Sequence, residues 1–156
     1  MEKKKIRIPS DTSYSVVTGT PIIIRIPKYK FNQCNYNLST EYNYIYWKKN
    51  LPITFFINQV EDNIIKKYYE YSNYNNNNIP SINLNSLKLF EKFIFKKQVS
   101  TKIRMKESTH TIIGTLWEFQ FEGWENKEIV EYILDSGLGE RNSLGFGFMN
   151  LVTKLD

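Results

Sequence analysis

One cysteine and one histidine in 156 residues exclude several kinds of chemistry from the start. Cys34 has no partner for an intrachain disulfide, and a cysteine-rich metal site cannot be built. One histidine is too few for a histidine cluster, so no metal and no cofactor are expected. That cysteine usage fits a reducing, cytoplasmic setting. The apolar runs at 21–24 and 53–57 are far too short to span a bilayer, so no membrane partner is expected. The opening stretch, 1–8, alternates charged and β-branched residues without an apolar central segment, so no signal peptide is expected.

What is present is ordinary for a folded chain. Apolar residues make up 41%, enough to fold without covalent staples, and the length allows one domain with its own core plus a small appendage. Twenty-one basic residues stand against 16 acidic ones, giving a net charge of +5. Such a surplus permits a polyanionic partner through attraction to phosphate, but many solvated surfaces carry as much. The abundance of Asn, Tyr, Ile and Lys reads as codon bias of an AT-rich genome.

Residues 1–12 read as a lead-in segment. The β-branched density of 14–27 predicts one strand, ended by Pro27, with Ile22, Ile23 and Ile24 near the sheet centre. Tyr44 to Trp47 read as a short extended piece. After Pro52, the residues Phe56, Val60, Ile64 and Tyr68 recur at i+4, which predicts an amphipathic helix of about five turns. Glu61, Asp62, Lys66 and Lys67 fall off its apolar face, and residues 72–86 read as a polar loop. From Leu87 the period switches to two, through Phe93, Phe95, Ile103 and Met105. A turn at 106–109 leads to a strand over 111–121 with Thr115, Trp117, Phe119 and Phe121 on one face. That aromatic set reads as core, and Gly114 as a bulge. A turn at 123–126 ends on Asn126, a helix cap, and the helix faces the core with Ile129, Val130, Ile133 and Leu134. Gly137 closes that helix, and a last strand runs over 145–152. The order is strand, helix, strand, strand, helix, strand: an α+β, ferredoxin-like (βαββαβ) domain over residues 1–156.

The most specific signal is Gly137-Leu-Gly-Glu-Arg-Asn-Ser-Leu-Gly-Phe-Gly147, two G-x-G pairs around a basic and polar spacer. Gly137, Gly139, Gly145 and Gly147 let a backbone come close to phosphate, and Asn142 and Ser143 add polar groups. Exposed N–H groups can form an anion nest, and Arg141 adds a bidentate fork. The plainer alternative is a tight helix-to-strand turn. Lys102, Arg104 and Lys106 alternate before the hairpin turn, as either groove-entering cations or the charged guard of an edge strand. Arg25 and Lys28 extend the basic path where the first strand ends. The acidic pairs Glu61/Asp62 and Glu125/Glu128 read as solvated helix charges.

A helix followed by G-x-G, a basic spacer and G-F-G before the last strand resembles the C-terminal signature of the CRISPR repeat-RNA endoribonucleases of the RAMP superfamily. Residues 18–25, Thr-Gly-Thr-Pro-Ile-Ile-Ile-Arg, resemble the opening strand of their second ferredoxin-like domain. The basic hairpin over 96–111 is a third likeness, and together the matches cover the chain from about residue 14 onward. Gly145-Phe-Gly-Phe-Met149 also resembles part of an RNA-recognition motif, but Leu144 and Leu151 stand where that motif has a basic and an aromatic residue.

The resemblance implies a repeat RNA, stem-loop or single-stranded, as partner. It implies metal-independent cleavage by a ribose 2′-hydroxyl that leaves a 2′,3′-cyclic phosphate. It also implies that the usual acid–base residues belong to a first ferredoxin-like domain, so this chain is expected to bind repeat RNA and to cut it poorly. The implied further partners are that N-terminal domain or other CRISPR effector subunits. His110, off the family's usual catalytic position, is the one candidate acid or base here, against the alternative of an exposed turn histidine. Two other functions compete: a non-catalytic subunit that holds the guide RNA, and a ferredoxin-like domain for protein assembly.

Overall fold

The computed structural model describes residues 13–74, 90–122 and 127–152. The lead-in segment, the Leu87 strand start, the turn at 123–126 with the Asn126 cap, and Glu125 lie outside them. Strand β1 (Ser13–Thr18) pairs antiparallel with β5 (Ser108–Glu122) on one side and β6 (Met149–Val152) on the other. Strand β4 (Phe90–Met105) closes the opposite edge, giving the order β4-β5-β1-β6. Helices α2 (Ile53–Tyr74) and α3 (Lys127–Ser136) complete the βαββαβ order of a ferredoxin-like fold, as the period changes predict.

The core joins one face of this sheet to both helices. Val16, Trp117 and Phe119 meet Phe56, Val60, Ile64 and Tyr68 of α2, and Ile129, Val130, Ile133 and Leu134 of α3. The i+4 apolar stripe therefore does what its phase requires. Phe56 stacks on Trp117 with ring centroids 4.4 Å apart, and Trp47 packs 5.1 Å and 5.5 Å from those rings. The aromatic strand is core, and its Trp117 indole N–H donates to the buried Thr115 hydroxyl at 2.6 Å.

Several expectations are corrected. The single strand over 14–27 is two. The chain leaves the ladder after Thr18, whose hydroxyl accepts from the Trp117 N–H (2.8 Å) and donates to the Trp117 carbonyl (3.2 Å). Pro21, with no N–H to give, separates β1 from β2 (Arg25–Pro27), which pairs with β3 (Tyr44–Tyr46) as a small second sheet. Ile22, Ile23 and Ile24 are buried as expected, but among the described residues their backbone pairs with the main sheet only at the isolated bridge of Ile22 to Thr115. A short helix α1 (Lys28–Gln33) fills the stretch read as loop, because Phe31 turns inward against Tyr36 and Phe55. Helix α2 runs about six turns and takes in Ser72, which is buried, so the polar loop cannot begin there. Gly114 is no bulge: it pairs in register with Val99, and the irregularities lie at 90–92 and 95–97 of β4. Its reason is space, since a Cβ there would come within 2.7 Å of the Pro21 Cβ. The last strand starts at Met149, not at 145.

Glu61 also departs from the solvated reading. Half-buried on α2, its carboxyl is pushed up from 4.5 to about 7, first by burial and then by the neighbouring Asp62 charge. The folded chain thus holds this proton more tightly than the unfolded chain. The resulting stability is present below about 4.5 and is lost as pH rises through about 7. Thermal melts of the wild type and Glu61→Gln should diverge as pH rises across that window, with the variant the more stable at its upper end. Parallel melting curves would place Glu61 in water.

Candidate nucleic-acid interface

The glycine motif forms a compact loop between α3 and β6, fixed by its own backbone. Gly137, left-handed at φ 89°, donates its N–H to Ile133 O at 2.8 Å and closes α3 as predicted. Leu138 N–H bonds Gly147 O, Glu140 N–H bonds Ile23 O, and Gly147 N–H bonds Pro21 O, each at 2.8 Å. Residues 142–144 make a single 3₁₀ turn between Arg141 and Gly145, both left-handed. The Asn142 side-chain amide ties the loop across its middle by donating to Leu138 O (3.0 Å) and Phe146 O (2.8 Å).

This geometry revises the role expected of the glycines. The N–H groups of Gly137, Gly145 and Gly147 are all taken by backbone carbonyls, of Ile133, Asn142 and Pro21, so they cannot form an anion nest. Gly139 is glycine because a Cβ would stand 2.5 Å from Ile23 O, and a Cβ on Gly147 would collide with Leu138 O. Gly145 differs: nothing lies within 4 Å of its absent Cβ, and with Ser143 and Leu144 it forms the exposed crest of the loop.

The loop has a second anchor that the sequence reading missed. Lys67 of α2 donates from Nζ to Gly139 O and, at 2.5 Å, to Asn142 Oδ1. Its position, three residues after Ile64 and seven after Val60, lies at the margin of the apolar stripe, which was the available signal. Burial pulls its ammonium down from 10.5 to about 8, with the Glu140 charge opposing.

Three segments that carried the resemblance converge beside this loop. A cleft of about 690 Å³ is lined by Arg25 at the start of β2, by Met105, His110 and Thr111 at the tip of the β4–β5 hairpin, and by Arg141 of the glycine loop. Arg25 is oriented by Glu140, Nε to Oε2 at 2.7 Å, and its guanidinium lies 5.7 Å from the centre of the Tyr44 ring. The Arg141 Nε is buried without a hydrogen-bond partner. His110 is exposed, with Nε2 3.0 Å from Ser108 Oγ. Lys102 and Arg104 pair across the hairpin with Thr111 and Thr109, so they share the face that carries Thr111 into the cleft. Lys106 stands in the turn itself, at φ 55°. Lys28 lies beside the cleft with its ammonium on Thr40 O at 2.8 Å. Tyr42, Tyr44, Tyr46 and Lys48 are also among the lining residues and were not singled out as site residues from sequence. Among the described residues no three His, Cys, Asp or Glu side chains gather as metal ligands, and no helix is long and apolar enough to cross a membrane.

A family model described as CRISPR associated protein Cas6, C-terminal, matches residues 2–151. The chain belongs to the Cas6 family. It is 28% identical over 148 residues to CRISPR-associated endoribonuclease Cas6 2 of Methanocaldococcus jannaschii, covering 86% of this chain and 52% of the relative. Three solved structures share the fold. One is described as CRISPR associated protein Cas6 (TM-score 0.54, 17% identity, 94% of this chain and 51% of that one). A second is described as an RAMP protein binding different RNA substrates (TM-score 0.55, 19% identity, 94% and 51%). The third is described as a Cas6-related gene product from Pyrococcus furiosus (TM-score 0.55, 16% identity, 99% and 52%). The chain spans about half the length of each of these four proteins.

The Lys67 anchor yields a pH signature. Between about 8 and 10.5 the unfolded chain binds this proton and the folded chain does not, so wild-type stability should rise with pH across that window. Comparing melts of the wild type with Lys67→Met isolates the effect from other groups. The gap should widen in favour of the wild type as pH rises, and a gap that does not change would show that Lys67 is solvated.

Proposed function

We propose that this chain is the repeat-RNA-binding half of a Cas6-type CRISPR endoribonuclease. It grips the RNA backbone along the cleft between the glycine loop and the hairpin tip. The observation that carries this reading is the meeting of Arg25, Arg141 and the hairpin tip in one cleft, from three separate segments of the chain. Arg141 is the central phosphate contact, because its planar fork is held at a fixed loop position, whereas a free lysine adds only diffuse attraction. Lys102, Arg104 and Lys106 continue the positive track along the hairpin, and Arg25 and Lys28 extend it beyond the cleft. Asn142, Gly137, Gly139 and Gly147 keep the loop in shape, while Ser143 and Gly145 present its crest to the RNA.

In the reaction proposed for the whole enzyme, the ribose 2′-oxygen attacks the adjacent phosphorus and the bond to the 5′-oxygen breaks. The products are a 2′,3′-cyclic phosphate and a 5′-hydroxyl. A general base takes the 2′ proton and a general acid supplies one to the leaving oxygen, so no metal is required. Cationic forks contribute by stabilising the charge that builds on the phosphate oxygens. We assign the acid–base pair to an N-terminal ferredoxin-like domain in the part of the Cas6 length that this chain does not span, with other CRISPR effector subunits as further partners. A second reading, a subunit that holds guide RNA without cutting, is favoured by the exposure of His110, whose ring is hydrogen-bonded to Ser108.

Anisotropy titrations with a fluorescent repeat RNA test the proposal. Arg141→Ala should weaken binding by about 10- to 100-fold, the loss of one charge-assisted contact, whereas Lys66→Ala on the exposed side of α2 should leave it unchanged. In EDTA the wild type should leave most of the RNA uncut. Equal effects of the two substitutions would refute the site. Efficient cleavage abolished by His110→Ala would make this chain a complete nuclease.

A further inference from the structure

Beside its cations the cleft carries a feature that backbone recognition does not require. Tyr42 is 76% exposed and Tyr44 59% exposed, although the neighbouring aromatic side chains Phe31, Trp47 and Phe56 are buried. Both tyrosines sit on the β3 side of the cleft, facing the glycine loop that carries Arg141. We propose that this cleft is a subsite for one unpaired nucleotide, with its base stacked on Tyr44 and Tyr42 and its phosphate on Arg141. The inference rests on the RNA-binding reading above and adds that the RNA is single-stranded where it meets the cleft.

Four observations support it. Aromatic rings left in water beside cations are the common platform for unstacked bases, whereas paired bases inside a helix offer no free face to stack on. Arg25 lies against the Tyr44 ring at 5.7 Å and is itself held by Glu140 at 2.7 Å, so the ring is oriented before any ligand arrives. Pre-orientation lowers the ordering cost of binding. The cleft volume, about 690 Å³, falls within the range of small-molecule sites and suits a nucleotide better than a helical stem. Arg141 lines the same cleft, and its Nε is buried without a partner, a state in which native folds seldom leave a donor.

The test uses the full chain with two probes: a single-stranded repeat RNA carrying 2-aminopurine at successive positions, and the same RNA annealed to its complement. The single strand is expected to bind more tightly than the duplex, with quenching concentrated at one 2-aminopurine position. Tyr44→Ala should weaken single-strand binding about 10-fold and abolish that quench, and Tyr44→Trp should restore both. Melting curves confirm that each variant is folded, as expected for exposed side chains. Unchanged affinity and quench in Tyr44→Ala and Tyr42→Ala, with Arg141→Ala still weakening binding, would overturn the subsite and leave the RNA-binding reading standing. Duplex binding equal to or tighter than single-strand binding would likewise overturn the subsite. If neither RNA bound the wild type, both readings would fall.

Discussion

The segment from Pro21 to Ile24 is held between two glycines, and the site is built on that confinement. On one side Gly114 of β5 leaves room for Pro21, since a Cβ there would stand 2.7 Å from the proline ring. On the other, Gly139 leaves room for the Ile23 carbonyl, to which a Cβ would come within 2.5 Å. Close approach allows the backbone bonds on both flanks: Ile22 with Thr115 at 2.8 and 2.9 Å, and Glu140 with Ile23 at 2.8 Å. The glycine loop therefore lies on the far side of this segment much as β6 lies on the far side of β1. Substituting Gly114 would push the segment off β5, and substituting Gly139 would push the loop off the segment.

The positions of the charged groups follow from this arrangement. Arg25 comes two residues after Ile23, and Glu140 is the residue bridged to Ile23, so their side chains meet as an ion pair at the next step of the ladder. Arg141 follows Glu140 directly and turns left-handed into the cleft wall. Lys67 then braces the loop from the helix side, and Asn142 ties it across its middle. The glycines act chiefly as a scaffold, and the groups left for the proposed RNA contact are the arginines, the crest at Ser143 and Gly145, and the tyrosines across the cleft.

Much of this was legible in the sequence. The i+4 phase of Phe56, Val60, Ile64 and Tyr68 and the period-two run into Trp117 and Phe119 are properties of single elements, and they placed the core correctly. The glycine spacing marked the loop. What the sequence could not show depends on partners distant in the chain. Gly114 looks like a bulge until Pro21 is placed against it, and Lys67 looks solvated until the loop carbonyls arrive above it. The break after Thr18 needs the side-chain bonds to Trp117 to be seen. Tyr42 and Tyr44 gave no periodic signal because the second sheet is only three residues long on each strand.

Amide and side-chain NMR of the labelled chain, titrated with repeat RNA, tests the central claim most directly. The account requires the largest shifts at the Arg141 and Arg25 side-chain N–H groups and at the amides of Ser143 and Gly145, with the exposed side of α2 around Lys66 unmoved. Shifts gathered on the outer faces of α2 and α3, with the glycine loop silent, would contradict it.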